Sequence, residues 1–403
     1  MSFKKTEIGY FPNTWKIDTM ENALESIIDY RGKTPEKAET GILTLSARSV
    51  KNGYIDYSNA YCISPSEYRK FMVRGKPRIG DILMTTEAPI GCIAKLDRDD
   101  IGLAQRLLTL RGEEGYVGND YLMYYLISKV GQHQLNSRSS GTTVTGIKQS
   151  EFRKTLIVIP PIHEQKVISG TLSCLDKKIE LNKRINDNLA KQGKSMFYKL
   201  MNEDFGITKE IGQLSDIAYI NQLYKLKKGQ VSTYVEMSNL PTKGSFPTAW
   251  EERAYNSGAK FMNGDTIMAR ISPCLENGKT AFISFLQKEV VGWGSTEYIV
   301  LSPKHPAYSE FLYFLARDKD FVRYAIMNMS GTSGRQRVSG DVIGKYGIVL
   351  PPIEKVESFS LYATTIMKTI YENCIQNIVL GKLRDALLPK LMSGEIDVSQ
   401  ISN

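Results

Sequence analysis

Two stretches of this chain place apolar residues at alternating spacings of four and three. The first runs Ile168, Leu172, Leu175, Ile179, Asn182, Asn186, Leu189, Gly193, Met196, Leu200. The second runs Phe359, Ala363, Ile366, Ile370, Asn373, Asn377, Leu380, Arg384, Leu387, Leu391. Such a repeat keeps one stripe of an α-helix turned toward a partner helix. Pro160-Pro161 and Pro351-Pro352 precede the two stretches; a proline pair ends a strand and is tolerated at a helix start, where the missing donor is harmless. Each stretch therefore predicts a helix of about 35–39 residues, some 50–60 Å long at roughly 1.5 Å per residue. Both seams carry two asparagines at their middle. One reading lays each helix on its own domain with the asparagines in solvent. A mutual antiparallel coiled coil, with Asn182 opposite Asn377 and Asn186 opposite Asn373, accounts better for a polar pair on an apolar seam.

The stretches before these helices read as mixed α and β. Ile42 to Leu45, Asp81 to Met84, Ile90 to Ala94 and Thr155 to Ile159 have the length and composition of strands bounded by Gly, Pro and Asn. Asn119 to Lys129 reads as a helix with Asn119 as its cap. Val231 to Val235, Asp265 to Met268 and Ile299 to Leu301 predict strands later in the chain, and Ser309 to Asp318 a helix.

The same landmarks recur in the same order. Ile159-Pro160-Pro161-Ile162 returns as Leu350-Pro351-Pro352-Ile353, and Lys199-Leu200-Met201 as Lys390-Leu391-Met392, both displaced by 191 residues. Gly80-Asp81 returns as Gly264-Asp265, Tyr121 to Leu126 as Phe311 to Leu315, and Ser140-Gly141-Thr142 as Ser330-Gly331-Thr332. The chain is one unit duplicated, with a variable front and a rigid helical back. The expected domains are 1–159, the helix of 160–205, 206–350, and the helix and tail of 351–403.

Composition narrows the chemistry. The net charge is +9, and the excess is shared equally: 22 basic and 18 acidic residues in 1–160, 17 and 13 in 206–350. A basic surface of this size suits phosphate contact without demanding it. Five cysteines, at 62, 92, 174, 274 and 374, are odd in number and widely spaced, which fits buried thiols in a reducing cytosol. No apolar run approaches a membrane span or a signal peptide. No methyltransferase Asn-Pro-Pro-aromatic or Asp-Pro-Pro-aromatic motif is present. Gly32-Lys33-Thr34 and Gly278-Lys279-Thr280 resemble the end of a phosphate loop, but Ile27 and Pro273 stand where its first glycine belongs. Three unrepeated histidines (133, 163, 305) cannot build a duplicated metal site. His163 reads as a surface or capping residue, and scattered carboxylates such as Asp81 and Glu87 define no nuclease centre.

Taken in order, Gly80-Asp81-Ile82-Leu83, Ser140-Gly141-Thr142-Thr143, Ile159-Pro160-Pro161-Ile162-His163-Glu164-Gln165-Lys166, Leu175-Asp176-Lys177-Lys178-Ile179 and the tail Leu388-Pro389-Lys390-Leu391-Met392-Ser393-Gly394-Glu395-Ile396 resemble the Type I restriction–modification specificity subunits. The resemblance spans nearly the whole chain. It implies an α+β protein: two duplicated target-recognition domains of mixed α/β structure, separated by two long helices that form an antiparallel coiled coil with pseudo-twofold symmetry. It further implies a non-catalytic, cytoplasmic, DNA-binding protein. Each recognition domain would read one half of a bipartite site on double-stranded DNA, and the helices would set the gap and dock two modification (methyltransferase) subunits. Restriction subunits would join that assembly. S-adenosylmethionine, ATP and magnesium would bind the partners, with no cofactor or metal on this chain. The DNA-binding residues expected in the first domain are Arg31, Lys33, Arg48, Lys51, Asn52, Ser140, Thr142, Thr143 and Lys148. In the second they are Lys225, Lys227, Lys228, Ser238, Asn239, Arg270, Arg335 and Arg337. Asn182, Asn186, Asn373 and Asn377 are expected to pair the helices. A stand-alone DNA-binding regulator and a single-chain restriction enzyme are the alternatives, separable by whether the chain needs partners.

Overall fold

The computed structural model describes residues 2–30, 32, 34–141, 145–203, 211–332 and 334–401. They fold into two compact units, one made of residues 1–177 and 380–403, the other of residues 178–379. Arg31, Lys33, Thr142 and Thr143 lie outside the described residues.

The first unit is built on a four-stranded antiparallel sheet in the order Ile93–Lys95, Ile82–Thr85, Leu107–Gly112, Leu24–Asp29. Both faces of this sheet are covered, which is why Ile82-Leu83-Met84 is a continuous apolar run with no polar alternation. Ile82, Met84, Leu108 and Leu110 join one core with helix Asn119–Ile127 and with Ile168 and Leu172. Leu83, Ala94 and Leu107 join a second core with Leu45, Phe71 and Leu103. A small sheet of Gly102–Leu103, Ile42–Leu45 and Tyr61–Ile63 borders that second core, its first two strands parallel. The expected cap at Asn119 is not what forms. Gly118 occupies the N-cap position, and the Asn119 side chain instead accepts from Gly112 N–H at 2.7 Å and donates to Gly80 O at 2.8 Å. A tertiary link has taken the place of a local one.

The second unit repeats this plan. Its central sheet runs Ala218–Ile220, Tyr298–Pro303, Thr266–Ala269, Thr280–Phe282, with Met268, Ile299 and Leu301 in one core and Ile267, Ala281 and Val300 in another. The companion sheet pairs Val231–Val235 in parallel with Gly292–Gly294, as Ile42–Leu45 pairs with Gly102–Leu103 in the first unit.

The long helices span Ile162–Asn202 and Ile353–Ser393, 41 residues each. Every residue of the two predicted seams is buried or half-buried. Within the second unit the helices run antiparallel. Asn182, fully buried, donates to Asn377 Oδ1 at 2.9 Å and to Gln376 Oε1 at 2.7 Å. Asn373 donates to Asn186 Oδ1 at 2.8 Å. Gly193 lies so close to the Phe314 ring that a Cβ there would meet Phe314 Cζ at 2.4 Å. Within the first unit Arg384 donates to Asp176 Oδ1 at 2.8 Å, and Tyr124 Oη donates to Asp176 Oδ2 at 2.7 Å. The second helix stops at Gly394, whose φ of +74° is a left-handed helix-ending conformation open to glycine.

Candidate nucleic-acid interface

In each unit one end of the central sheet meets the Ser-Gly loop noted in the sequence. Ser140 and Gly146 exchange backbone hydrogen bonds at 2.9 and 3.0 Å, closing that loop. Ile147 N–H then donates to Thr86 O at 2.9 Å, and Thr86 N–H to Arg106 O at 3.0 Å. The second unit builds the same backbone. Ser330 and Arg337 exchange hydrogen bonds at 2.9 Å, Val338 N–H donates to Arg270 O at 3.0 Å, and Arg270 N–H to Glu297 O at 2.9 Å. Position by position, Thr86 corresponds to Arg270, Glu87 to Ile271, Arg106 to Glu297, and Gly146 to Arg337.

An ion pair sits on each of these scaffolds. In the first unit Arg106 Nε lies 2.6 Å from Glu87 Oε1, with the Arg106 side chain half exposed. Arg106 has a φ of +71°, a conformation rare outside glycine. In the second unit Arg337 holds Glu297 through Nε and Nη2 at 2.8–3.0 Å, and this guanidinium keeps the Glu297 carboxyl below the usual range. Arg270 Nε stands 3.9 Å from the same carboxylate and is buried without a hydrogen-bond partner among the described residues. Arg270 also lines an open polar cleft of about 360 Å³ with Tyr224, Tyr255, Lys260, Thr296 and Tyr298.

One face of the second unit's companion sheet carries cations among aromatic rings. Arg253 lies over the Tyr234 ring at 4.2 Å and Lys260 over Tyr255 at 4.9 Å, with Trp293 between Tyr234 and Tyr255. Such pairings hold the cation against the face of the ring.

The expected binding residues fall into separate groups. Arg48 and Asn52 are exposed and Lys51 half-buried beside the small sheet of the first unit; Ser140 is exposed at the closed loop, and Lys148 is exposed before helix Gln149–Arg153. No hydrogen bond or ion pair among the described residues joins these groups. Lys225, Lys227 and Lys228 are exposed on the segment leading into Val231–Val235, while Ser238 and Asn239 lie on the 3-10 turn Met237–Asn239. Among the described residues, only Arg270 and Arg337, meeting on Glu297, come together, with exposed Arg335 two residues before Arg337. Arg106, Glu87 and Glu297 were not singled out as binding residues. Spacing alone gave little signal: Arg106 and Glu297 fall 26 and 33 residues after Gly80 and Gly264, and the place of Glu87 holds neutral Ile271 in the second copy. His163 is exposed. Glu164 is buried and accepts from Trp15 Nε1 at 2.8 Å. Among the described residues no cluster of His, Cys, Asp or Glu is arranged to hold a metal ion, and no helix is long and apolar enough to cross a membrane.

A family model described as the Type I restriction modification DNA specificity domain matches residues 44–191. The chain is 26% identical to the Type I restriction enzyme MjaIX specificity subunit of Methanocaldococcus jannaschii, over 99% of this chain and 97% of that protein. It is 22% identical to the HindI specificity subunit of Haemophilus influenzae, over 74% of this chain and 82% of that protein. Among solved structures, the S subunit of a Type-I restriction-modification system from M. genitalium matches with a TM-score of 0.57 at 16% identity, covering 94% of this chain and 97% of that one, a likeness of fold. Duplicated units, paired long helices and full-length similarity agree: along its whole length this chain is similar to the Type I restriction–modification specificity subunits.

Proposed function

We propose that this chain supplies the DNA specificity of a Type I complex, with recognition domains 1–159 and 206–350 each reading one half of a bipartite site. The observation that carries this reading is the sheet-end site built twice on one backbone plan with different side chains. Two copies of one scaffold with different polar groups are what two different half-sites require. Lysines and arginines on the exposed loops would position the phosphates while side chains at the sheet ends read base edges. In the first domain Arg48, Lys51, Asn52, Ser140 and Lys148 serve this purpose, together with Arg31, Lys33, Thr142 and Thr143. In the second Lys225, Lys227, Lys228, Ser238, Asn239, Arg270, Arg335 and Arg337 do so. The paired helices hold the gap, since spacing between half-sites follows from a rigid spacer, and Asn182, Asn186, Asn373 and Asn377 fix their register. Two methyltransferase subunits dock on the helices and restriction subunits join them in the cytoplasm. S-adenosylmethionine, ATP and magnesium belong to those partners, and this chain contributes no catalytic group.

The test is to purify the chain with and without its methyltransferase subunits and assay DNA binding and adenine methylation. Site-specific methylation is expected only from the assembly, with weak, salt-sensitive binding by the chain alone. Methyl transfer by the isolated chain, or tight specific binding without partners, contradicts the proposal.

A further inference from the structure

The two sheet-end sites share a backbone and exchange their charges. The buried Asp81–Arg111 pair of the first unit is simply lost in the second, where Ser302 stands in place of Arg111; the sheet-end pair is kept with its charges rearranged. Here the carboxylate moves from the place of residue 87 to the place of residue 106, where Glu297 stands. The cation moves from 106 to the places of 86 and 146, where Arg270 and Arg337 stand. The backbone bonds beneath, from Thr86 to Arg106 and from Arg270 to Glu297, stay the same. Variation confined to the side chains of a constant scaffold marks residues that read a variable ligand.

Each site also leaves one guanidinium with unused donors. Arg106 meets Glu87 at Nε and makes no hydrogen bond through either Nη among the described residues. Arg270 makes no side-chain hydrogen bond there, and its Nε is buried unpartnered beside the cleft. Arg337, by contrast, has all three guanidinium nitrogens hydrogen-bonded, with Nε and Nη2 on Glu297 and Nη1 on Arg335 O at 3.1 Å. A carboxylate so near each free arginine argues against a phosphate as its partner, because the two anions would repel. A base edge carries no such charge. The guanidinium fork matches the O6 and N7 acceptors of guanine in the major groove, and a carboxylate at its side fixes the plane of the fork.

We infer that Arg106 and Arg270 are the guanine-reading side chains of the two recognition units, with Glu87, and Glu297 together with Arg337, as positioning residues. The inference rests on the reading of this chain as a DNA-specificity subunit. It adds that each half-site contains a guanine read by a single arginine.

The test uses the complex assembled with its methyltransferase subunits, on a library of duplexes randomised across both half-sites. Duplexes with 7-deazaguanine at each guanine of the preferred site, which lack the N7 acceptor, form a second substrate set. Arg106→Lys keeps the charge and removes the fork. It should lose roughly 5- to 150-fold of discrimination at one G·C pair of one half-site and leave the other half-site unchanged. Arg270→Lys should do the same in the other half-site. Glu87→Gln and Glu297→Gln should weaken preference at those same pairs and at no others, a pattern that a loss of folding would not produce. Wild-type methylation should fall when 7-deazaguanine occupies either position, and the lysine variants, which keep a single donor without the fork, should respond less to it. A wild-type complex with no sequence preference overturns the underlying reading. A selective wild type whose lysine variants keep every preference, or which ignores 7-deazaguanine throughout, overturns the inference alone. Should either lysine variant unfold in a thermal melt, the 7-deazaguanine arm on wild type decides.

Discussion

The same substitution at two equivalent positions should move stability in opposite directions. Asp81 and Asp265 occupy the same place in the repeat and do the same backbone work. Asp81 Oδ2 accepts from Arg78 N–H and Asp265 Oδ2 from Met262 N–H, both at 2.8 Å. Their counter-charges differ. Arg111 grips both oxygens of Asp81, at 2.8 and 2.7 Å, and the pair is nearly sealed from solvent. In the second unit the equivalent of Arg111 is Ser302, which shares Tyr224 Oη with Asp265 at 3.2 and 3.1 Å. With no cation paired to it among the described residues, burial pushes the Asp265 carboxyl up from 3.8 to about 6.

A folded-state pKa raised above its unfolded value means the proton is held more tightly in the folded protein. The associated stability is fully present below about pH 4 and is lost as pH rises through 6. At about 1.36 kcal/mol per pKa unit the whole effect is about 3 kcal/mol, of which about 1.4 kcal/mol falls between pH 5 and pH 8. Asp265→Asn removes the titration. The amide oxygen can keep the Met262 bond, and the amide nitrogen can donate to Tyr224 Oη or Ser302 Oγ. The variant should therefore gain about 1–2 kcal/mol at pH 8, where wild type buries a charge, and lose that advantage by pH 5. Asp81→Asn leaves the Arg111 guanidinium half-paired in a buried place and should destabilise the first unit by on the order of 3 kcal/mol. Pulsed hydrogen exchange at graded urea separates the two units through peptides covering Ile82–Thr85 and Thr266–Ala269. If Asp265→Asn destabilises the second unit at pH 8 and keeps the wild-type pH slope, the assignment of Asp265 as an unpaired buried carboxyl is wrong.

Three further outcomes are expected. Replacing Asn182, Asn186, Asn373 and Asn377 together with leucine should raise the thermal midpoint while loosening helix register, giving methylated sites of more than one spacing; one unchanged spacing with unchanged stability counts against a register role. Gly193→Ala should destabilise the second unit by about 1–3 kcal/mol through overpacking against Phe314, and unaltered urea unfolding would show that the ring moves aside freely. Exchanging residues 1–158 for the front of another family member should alter one half-site and preserve the other and the gap; methylome sequencing in which both halves change would show that the domains do not read independently.

What the sequence disclosed follows from the range of each interaction. A heptad seam is a local pattern, so the residues from Ile168 to Leu200 announce their helix unaided. Strands such as Ile42–Leu45 and Val231–Val235 were legible in full because turn residues bound them on both sides. The cap assigned to Asn119 failed because its amide serves Gly112 and Gly80, partners that only the folded sheet brings near. The sheet-end sites were the least legible. Glu87 and Arg106 look like isolated charges until the central sheet sets Thr86 beside the lead-in to Leu107–Gly112. In the second unit three different segments supply Arg270, Glu297 and Arg337. Charge exchange between the copies also hides their equivalence from a search for repeated residue types.

The amide layer between the long helices shows how stability and specification divide. Asn182 is fully buried, and its Oδ1 has no hydrogen-bond partner among the described residues. An unsatisfied buried acceptor costs about 1–3 kcal/mol, more than a leucine at the same place would, so the layer is not explained by stability. Sliding one helix by a heptad would set Asn182 against Ile370 and Asn186 against Ile366. Both Asn182–Asn377 and Asn186–Asn373 would be broken, and the freed amides would be turned into aliphatic surroundings. The observed register loses least, and the difference grows with each amide left unpaired. A chain that had only to hold two helices together would gain by losing these asparagines. The proposed role of setting a fixed distance along DNA gives this chain a reason to keep them.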